Sequence, residues 1–294
     1  MANFFQQVVA GLGSGAIYAS LALALVLIHR ATGVINFAQG EMAMFTTYIA
    51  WTLTANHGWD YWPAFGATLL FAFVLGLGVH RVVIHPVERS SVLTVVIMTI
   101  GLVLTFNGLA SLIWSAEIRA FPSPFPNETW TIGGVAISQQ DVGTLGIVVV
   151  LVALLWAFFQ FTKIGLALRA SALNPEASRL VGVRVGWMLG IGWGLAAMLG
   201  AVAGMLAAPT VFLEPNMMQA ILIYAFAAAV LGGIDSPLGA VAGGLLLGVG
   251  LNLIGAYVDF VGADLRLPVA LLVILVVLLV RPAGLFGKAV TRRV

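Results

Sequence analysis

The chain has 294 residues, of which 61% are apolar and 8% charged. A soluble domain carries roughly 25% charged residues, so this chain cannot cover a soluble surface, and its apolar content equally excludes disorder. A formal charge of +2 is no nucleic-acid-binding face. With no cysteine, disulfide, zinc–thiolate, iron–sulfur and thiol-nucleophile chemistry are all excluded.

About 20 mostly apolar residues cross roughly 30 Å of hydrocarbon. In chain order, spans are predicted at Phe4–Ile28, Trp62–Val83, Val92–Trp114, Val142–Phe161, Trp187–Ala207, Ala220–Leu231, Leu238–Val258 and Leu267–Val280. The first run has no lysine or arginine ahead of it and no small-residue cleavage site, so it reads as a retained span. A shorter apolar stretch, Met42–Ala55, follows the polar interruption Asn36-Phe37-Ala38-Gln39-Gly40-Glu41. The expected fold is therefore all-α and polytopic, one transmembrane domain over residues 1–294. It has eight to nine transmembrane helices, with a broken or re-entrant segment near 36–55.

The cations set orientation. With nine spans and the N-terminus outside, Arg30, Arg81, Arg89, Lys163, Arg169, Arg179, Arg184, Arg281, Lys288, Arg292 and Arg293 are cytoplasmic. Only Arg119 and Arg266 are then outside. The positive-inside rule rejects the reverse. An eight-span version moves the N-terminus and Arg30 to opposite sides and leaves the rest in place. Either way the C-terminus and residues 162–186 are cytoplasmic and residues 116–140 extracytoplasmic. Pro122, Pro124 and Pro126 predict an extended outer loop. Trp51, Trp59, Trp62, Trp114 and Trp130 lie near predicted outer boundaries, as in an aromatic belt. His29, His80 and His85 fall near inner boundaries and read as interfacial.

Inside the segment Asn36–Glu41, an amide and a carboxylate stand between two apolar runs. Asn36 and Glu41 can cap the helix that follows. Alternatively Asn36, Gln39 and Glu41 line a translocation path, because an intramembrane carboxylate is a functional candidate by default. Within residues 162–186, Asn174-Pro175-Glu176 is a helix start and Gly182 suits a helix end. The product is a two-turn helix with Ala177, Leu180 and Val181 on one side and Arg179 near its end. Such a helix can dock in a partner's groove or lie at the membrane interface. Glycines recur at helical spacing at Gly186, Gly190 and Gly194, at Gly192, Gly200 and Gly204, and at Gly239, Gly243, Gly244 and Gly248. Close helix approach explains them. Asp235 sits in a turn before Ser236-Pro237, which start the next helix.

Three ordered blocks carry a family resemblance. They are Gly15-Ala16-Ile17-Tyr18-Ala19-Ser20-Leu21-Ala22-Leu23 followed by Ile35–Glu41, then Arg169-Ala170 with Asn174-Pro175-Glu176 and Leu180-Val181-Gly182, then Val230–Ala240. Together they resemble the permeases of branched-chain amino acid ABC importers, and the compact length resembles the LivH-type. The resemblance implies ATPase coupling through Arg169, Asn174, Glu176, Ala177, Arg179 and Gly182. It also implies a second, LivM-like permease, two cytoplasmic ATP-binding subunits and an extracytoplasmic solute-binding protein. The substrate would be leucine, isoleucine, valine or a related solute, including other amino acids, amides or urea. Beyond the lipid bilayer and these proteins no partner, nucleic acid or cofactor is implied. The chain has no Gly-x-x-x-x-Gly-Lys-Ser/Thr run and no nucleophile–base arrangement, so it is read as a non-enzymatic subunit with ATP hydrolysis on another chain. The competing classes are an ion-coupled secondary transporter of a small zwitterionic or neutral solute, which calls for paired intramembrane acids, and a purely structural membrane subunit.

Overall fold

A computed structural model describes residues 2–287 except 89, 127, 263 and 264. The cations Arg89, Lys288, Arg292 and Arg293, used above for orientation, lie outside the described residues. The order of elements is α1 (Ala2–Thr32), α2 (Gln39–Trp51), α3 (Tyr61–Val79), α4 (Val92–Trp114), β1 (Thr129–Ile132), β2 (Val135–Ser138), α5 (Gln139–Phe161), α6 (Lys163–Leu173), α7 (Pro175–Leu180), α8 (Val185–Val211), α9 (Gln219–Gly232), α10 (Pro237–Tyr257) and α11 (Arg266–Val280). Among the described residues six helices are long and apolar enough to cross a membrane: α1, α3 with its continuation to Ile84, α4, α5, α8 and α10. The chain is a polytopic, all-α membrane protein. Apolar α9 and α11 are shorter, at 14 and 15 residues. The segment after Asn36 forms α2, 13 residues long, extended by a π-helical turn over Thr52–Asn56.

Two features were not foreseen. The chain is non-helical through Pro122, Pro124 and Pro126, as expected, but beyond them it folds into a hairpin, β1 and β2 pairing antiparallel with Ile132 opposite Val135. Gly133 and Gly134 turn the hairpin with φ of 60° and 81°, as a tight two-residue turn demands. The loop also ends before residue 140, since Gln139 and Gln140 already belong to α5. Residues 162–186 hold a helix ahead of the expected one: Thr162 caps α6 by accepting from Gly165 N at 2.9 Å.

The chain forms two compact units. The first comprises residues 1–26, 125–145 and 220–294. Its centre is α10, which carries two glycine rows. Gly244 and Gly248 lie against Ala19, Gly15 and Gly11 of α1, and a Cβ on Gly244 would stand 2.5 Å from the Ala19 Cα. Gly243 and Gly239 lie against Ala228 and Gly232 of α9. Ser236 caps α10 by accepting from Gly239 N at 3.0 Å, with Pro237 in the first turn, as expected. Past α11 the chain returns to α9, where Leu285 N and Phe286 N donate to the carbonyls of Leu231 and Gly232.

The second unit comprises residues 27–124 and 146–219, and α8 is its axis. One α8 row, Gly186, Gly190 and Gly194, faces His85, His80 and Phe73 at the end of α3. The other, Ala196, Gly200 and Gly204, faces Gln39, Ala43 and Thr47 of α2. Both rows step by four residues, which keeps them on one stripe of each helix. Small residues let the backbones approach where lipid provides no hydrophobic drive. His80 is not interfacial as expected: it is 2% exposed and its ring lies 6.1 Å from that of Trp193 on α8. His80 is the next four-residue step after Ala64, Thr68, Ala72 and Gly76, the buried stripe of α3, whose Gly76 lies against Trp193 and Ala197 of α8.

Candidate functional site

The polar interruption before α2 folds as a local turn and a long-range clamp. Asn36 Oδ1 accepts from Ala38 N at 3.0 Å, and Asn36 Nδ2 donates to Gln39 Oε1 at 3.2 Å. Gln39 Nε2 then donates to the Ala196 carbonyl on α8 at 2.8 Å. Asn36 and Gln39 are both fully buried. Their hydrogen bonds tie the start of α2 to itself and to α8. Neither Asn36 nor Glu41 caps α2. The residue before the helix is Ala38, with no side-chain cap, because the Asn36 oxygen is already engaged one residue earlier.

Glu41 differs. It lies in the first turn of α2, where a negative charge suits the helix dipole, and is 3% exposed. The Asn107 side chain on α4 approaches its carboxyl, but no donor reaches Oε2 in hydrogen-bonding geometry. A buried carboxylate oxygen without a partner inside a membrane protein is costly.

Toward the other end of α2 the residues form an aromatic clasp. The Trp114 ring stacks on Tyr48 at 5.0 Å, and its Nε1 donates to Thr52 Oγ1 at 2.8 Å. Arg119 sits 4.4 Å above the Trp51 ring and donates to the Trp114 carbonyl at 2.6 Å. Trp51 and Trp114 are thus bound into this packing, whereas Trp59, Trp62 and Trp130 are about half exposed, as a membrane-interface belt requires. Arg119 and Leu213 exchange two backbone hydrogen bonds of 3.0 and 2.9 Å. That pairing ties the ends of α4 and α8, each stopped by a non-glycine residue at positive φ, Ser115 at 63° and Phe212 at 62°.

The α6–α7 segment has the capping that its residues prescribe. Asn174 Oδ1 accepts from Ala177 N at 3.0 Å, Pro175 opens α7 and Gly182 leaves it at φ +84°. The helix spans six residues, slightly under two turns. Ser178 is its buried residue, while Ala177, Glu176 and Arg179 are exposed and Leu180 and Val181 stand 89% and 79% exposed. Two large apolar side chains beside a cation thus face outward and are not part of a core. Arg169 on α6 is half-buried. A groove of about 480 Å³ opens beside this segment, lined by Ala167, Val183, Arg184, Trp187 and Met188 among others. Sequence reasoning missed α6 and this groove; the Thr162-x-x-Gly165 spacing was the available signal for the former.

The sequence profile of the family described as "Branched-chain amino acid transport system / permease component" matches residues 7–280. The chain is 31% identical to the high-affinity branched-chain amino acid transport system permease protein BraD of Pseudomonas aeruginosa, over 99% of this chain and 98% of that one. It is 30% identical to LivH of Escherichia coli over the same shares. It is 27% identical to a probable LivH of Methanocaldococcus jannaschii, over 91% and 87%. Among solved structures it is similar in fold to PsaBC from Streptococcus pneumoniae in complex with Fab, with a TM-score of 0.50, 13% identity, and coverage of 93% and 91%. The length of the profile match and the near-complete overlap with BraD and LivH lead to one conclusion: this chain belongs to the LivH-type branched-chain amino acid transport permease family.

Proposed function

We propose that this chain is the membrane-spanning permease subunit of an ATP-driven ABC importer. It translocates branched-chain or related amino acids delivered by an external solute-binding protein. The observation that carries the reading is the family match over residues 7–280. The capped α7 with its outward apolar pair supports it, as a surface for a soluble partner.

In this proposal residues 1–294 form one permease domain in the inner membrane, with nine spans counting α2, α9 and α11, the N-terminus outside and the C-terminus cytoplasmic. Residues 162–186 meet the ATPase through Arg169, Asn174, Glu176, Ala177, Arg179 and Gly182. Residues 116–140 face the binding protein. ATP hydrolysis belongs to two separate cytoplasmic subunits, and a LivM-like chain supplies the other half of the pore. Of the three path candidates Glu41 is preferred, since Asn36 and Gln39 are fully buried within the clamp.

The test is reconstitution of the permease pair with its ATPases and binding protein in proteoliposomes, measuring uptake of labelled leucine. Uptake should require ATP inside and binding protein outside. Leucine uptake persisting without any ATPase subunit would overturn the proposal in favour of an ion-coupled carrier.

A further inference from the structure

Asn107, Asn216 and Gln219 form a connected strip of amides. Asn107 Nδ2 donates to the Pro215 carbonyl at 3.0 Å and to Asn216 Oδ1 at 3.1 Å. Gln219 Nε2 donates to the same Asn216 Oδ1 at 2.9 Å. The Pro215 carbonyl can only accept, which fixes the Asn107 amide with nitrogen forward. The atom of Asn216 that meets that nitrogen must then be its oxygen, and Gln219 must meet that oxygen with its nitrogen. This leaves the Asn216 amide hydrogens and the Gln219 carbonyl oxygen uncommitted. Asn216 and Gln219 are exposed and Asn107 is partly so.

The position makes this exposure informative. Asn107 lies seven residues before the end of α4, about 10 Å along the helix. Asn216 and Gln219 sit where the chain breaks between α8 and α9. Hydrocarbon cannot solvate free amide groups or a broken backbone, so such a segment faces either water or another protein. Elsewhere the outer face of α4 is apolar, with Leu93, Ile97 and Leu104 67%, 57% and 72% exposed. The partnerless Glu41 oxygen, its carboxyl approached by Asn107, is an independent sign of polar traffic behind the strip.

We infer that the strip Asn107–Asn216–Gln219 is a wall of the solute path. The wall is uncharged, with amide hydrogens free for a carboxylate and a carbonyl oxygen free for an ammonium. It therefore suits a zwitterion and hands it on without trapping either charge. The inference rests on the permease reading above.

The chain has no cysteine, so single cysteines report unambiguously. Asn216→Cys and Gln219→Cys are made separately, with Leu104→Cys as the lipid-facing control, each in the assembled importer in membranes. At least one strip cysteine should react with a charged, membrane-impermeant thiol reagent roughly tenfold faster than Leu104→Cys, and excess leucine with binding protein should slow it. Strip cysteines no faster than the control in an importer that still transports with ATP would overturn the inference and leave the permease reading standing. Reaction that leucine does not slow would also overturn it, marking the strip as an aqueous surface off the path. Leucine uptake independent of ATPase would instead defeat the permease reading itself.

Discussion

Gln39 Nε2 donates to the Ala196 carbonyl at 2.8 Å, and a Cβ on Gly200, one turn further along α8, would stand 2.6 Å from that nitrogen. The glycine is therefore the space in which the amide lies. Gly200→Ala should lower thermal stability of the purified permease by about 1–3 kcal/mol through overpacking. Adding Gln39→Ala should recover part of that loss, because the two residues share one volume and their effects cannot add. Thermal unfolding in detergent of both single variants and the double variant measures this. Strict additivity would refute the shared volume.

Glu41→Gln should keep the permease inserted and assembled while lowering leucine uptake modestly, because the amide preserves size and can still meet the Asn107 side chain. Glu41→Ala should lower uptake further. Uptake is compared at equal membrane content of permease. Intact uptake in Glu41→Gln, together with loss of folded protein in Glu41→Ala, would assign Glu41 a structural role.

At α7, Ala177 is exposed beside Leu180 and Val181. Ala177→Trp should leave the permease folded but reduce ATPase co-purification, uptake and binding-protein-stimulated ATP hydrolysis together. Asn174→Ala removes the cap donated to by Ala177 N. It should loosen α7 by about 1 kcal/mol and give a milder form of the same defect, with Asn174→Asp near normal. Normal pull-down and uptake in Ala177→Trp would exclude docking through α7.

Orientation is testable at Leu173, which is 82% exposed at the end of α6. The neighbouring Ser171, a natural choice from sequence, is fully buried and unsuitable. A cysteine at Leu173 should be labelled by an impermeant reagent only after the membrane is opened to the cytoplasmic side. Labelling in intact cells would invert the topology.

What was legible in the sequence was local. Val92–Trp114 matches α4 residue for residue because Ser91, whose side chain accepts from Thr94 N, marks its start. The caps at Asn174 and Ser236 were readable because cap and donor lie three residues apart. The hairpin was readable too, from Gly133-Gly134 between alternating residues, but the prolines upstream dominated the reading of that loop. Long-range partners were not legible. That Gln39 serves α8 rather than a solute depends on Ala196, 157 residues away, and the Asn107–Asn216 contact spans 109. The burial of His80, by contrast, follows a spacing present in the sequence, the four-residue step through Ala64, Thr68, Ala72 and Gly76 of α3.

The division of the chain also orders its biosynthesis. Residues 27–124 and 146–219 complete one unit, so the ribosome has made all of it once Gln219 is added. The other unit includes residues 1–26, made earlier, yet needs residues 220–294. Gly11 and Gly15 of α1 must therefore wait in the bilayer for Gly244 and Gly248 of α10. Throughout that interval the small-residue face of the first helix is available to other membrane helices, so a nascent chain stalled after Gln219 exposes a groove that the finished protein hides.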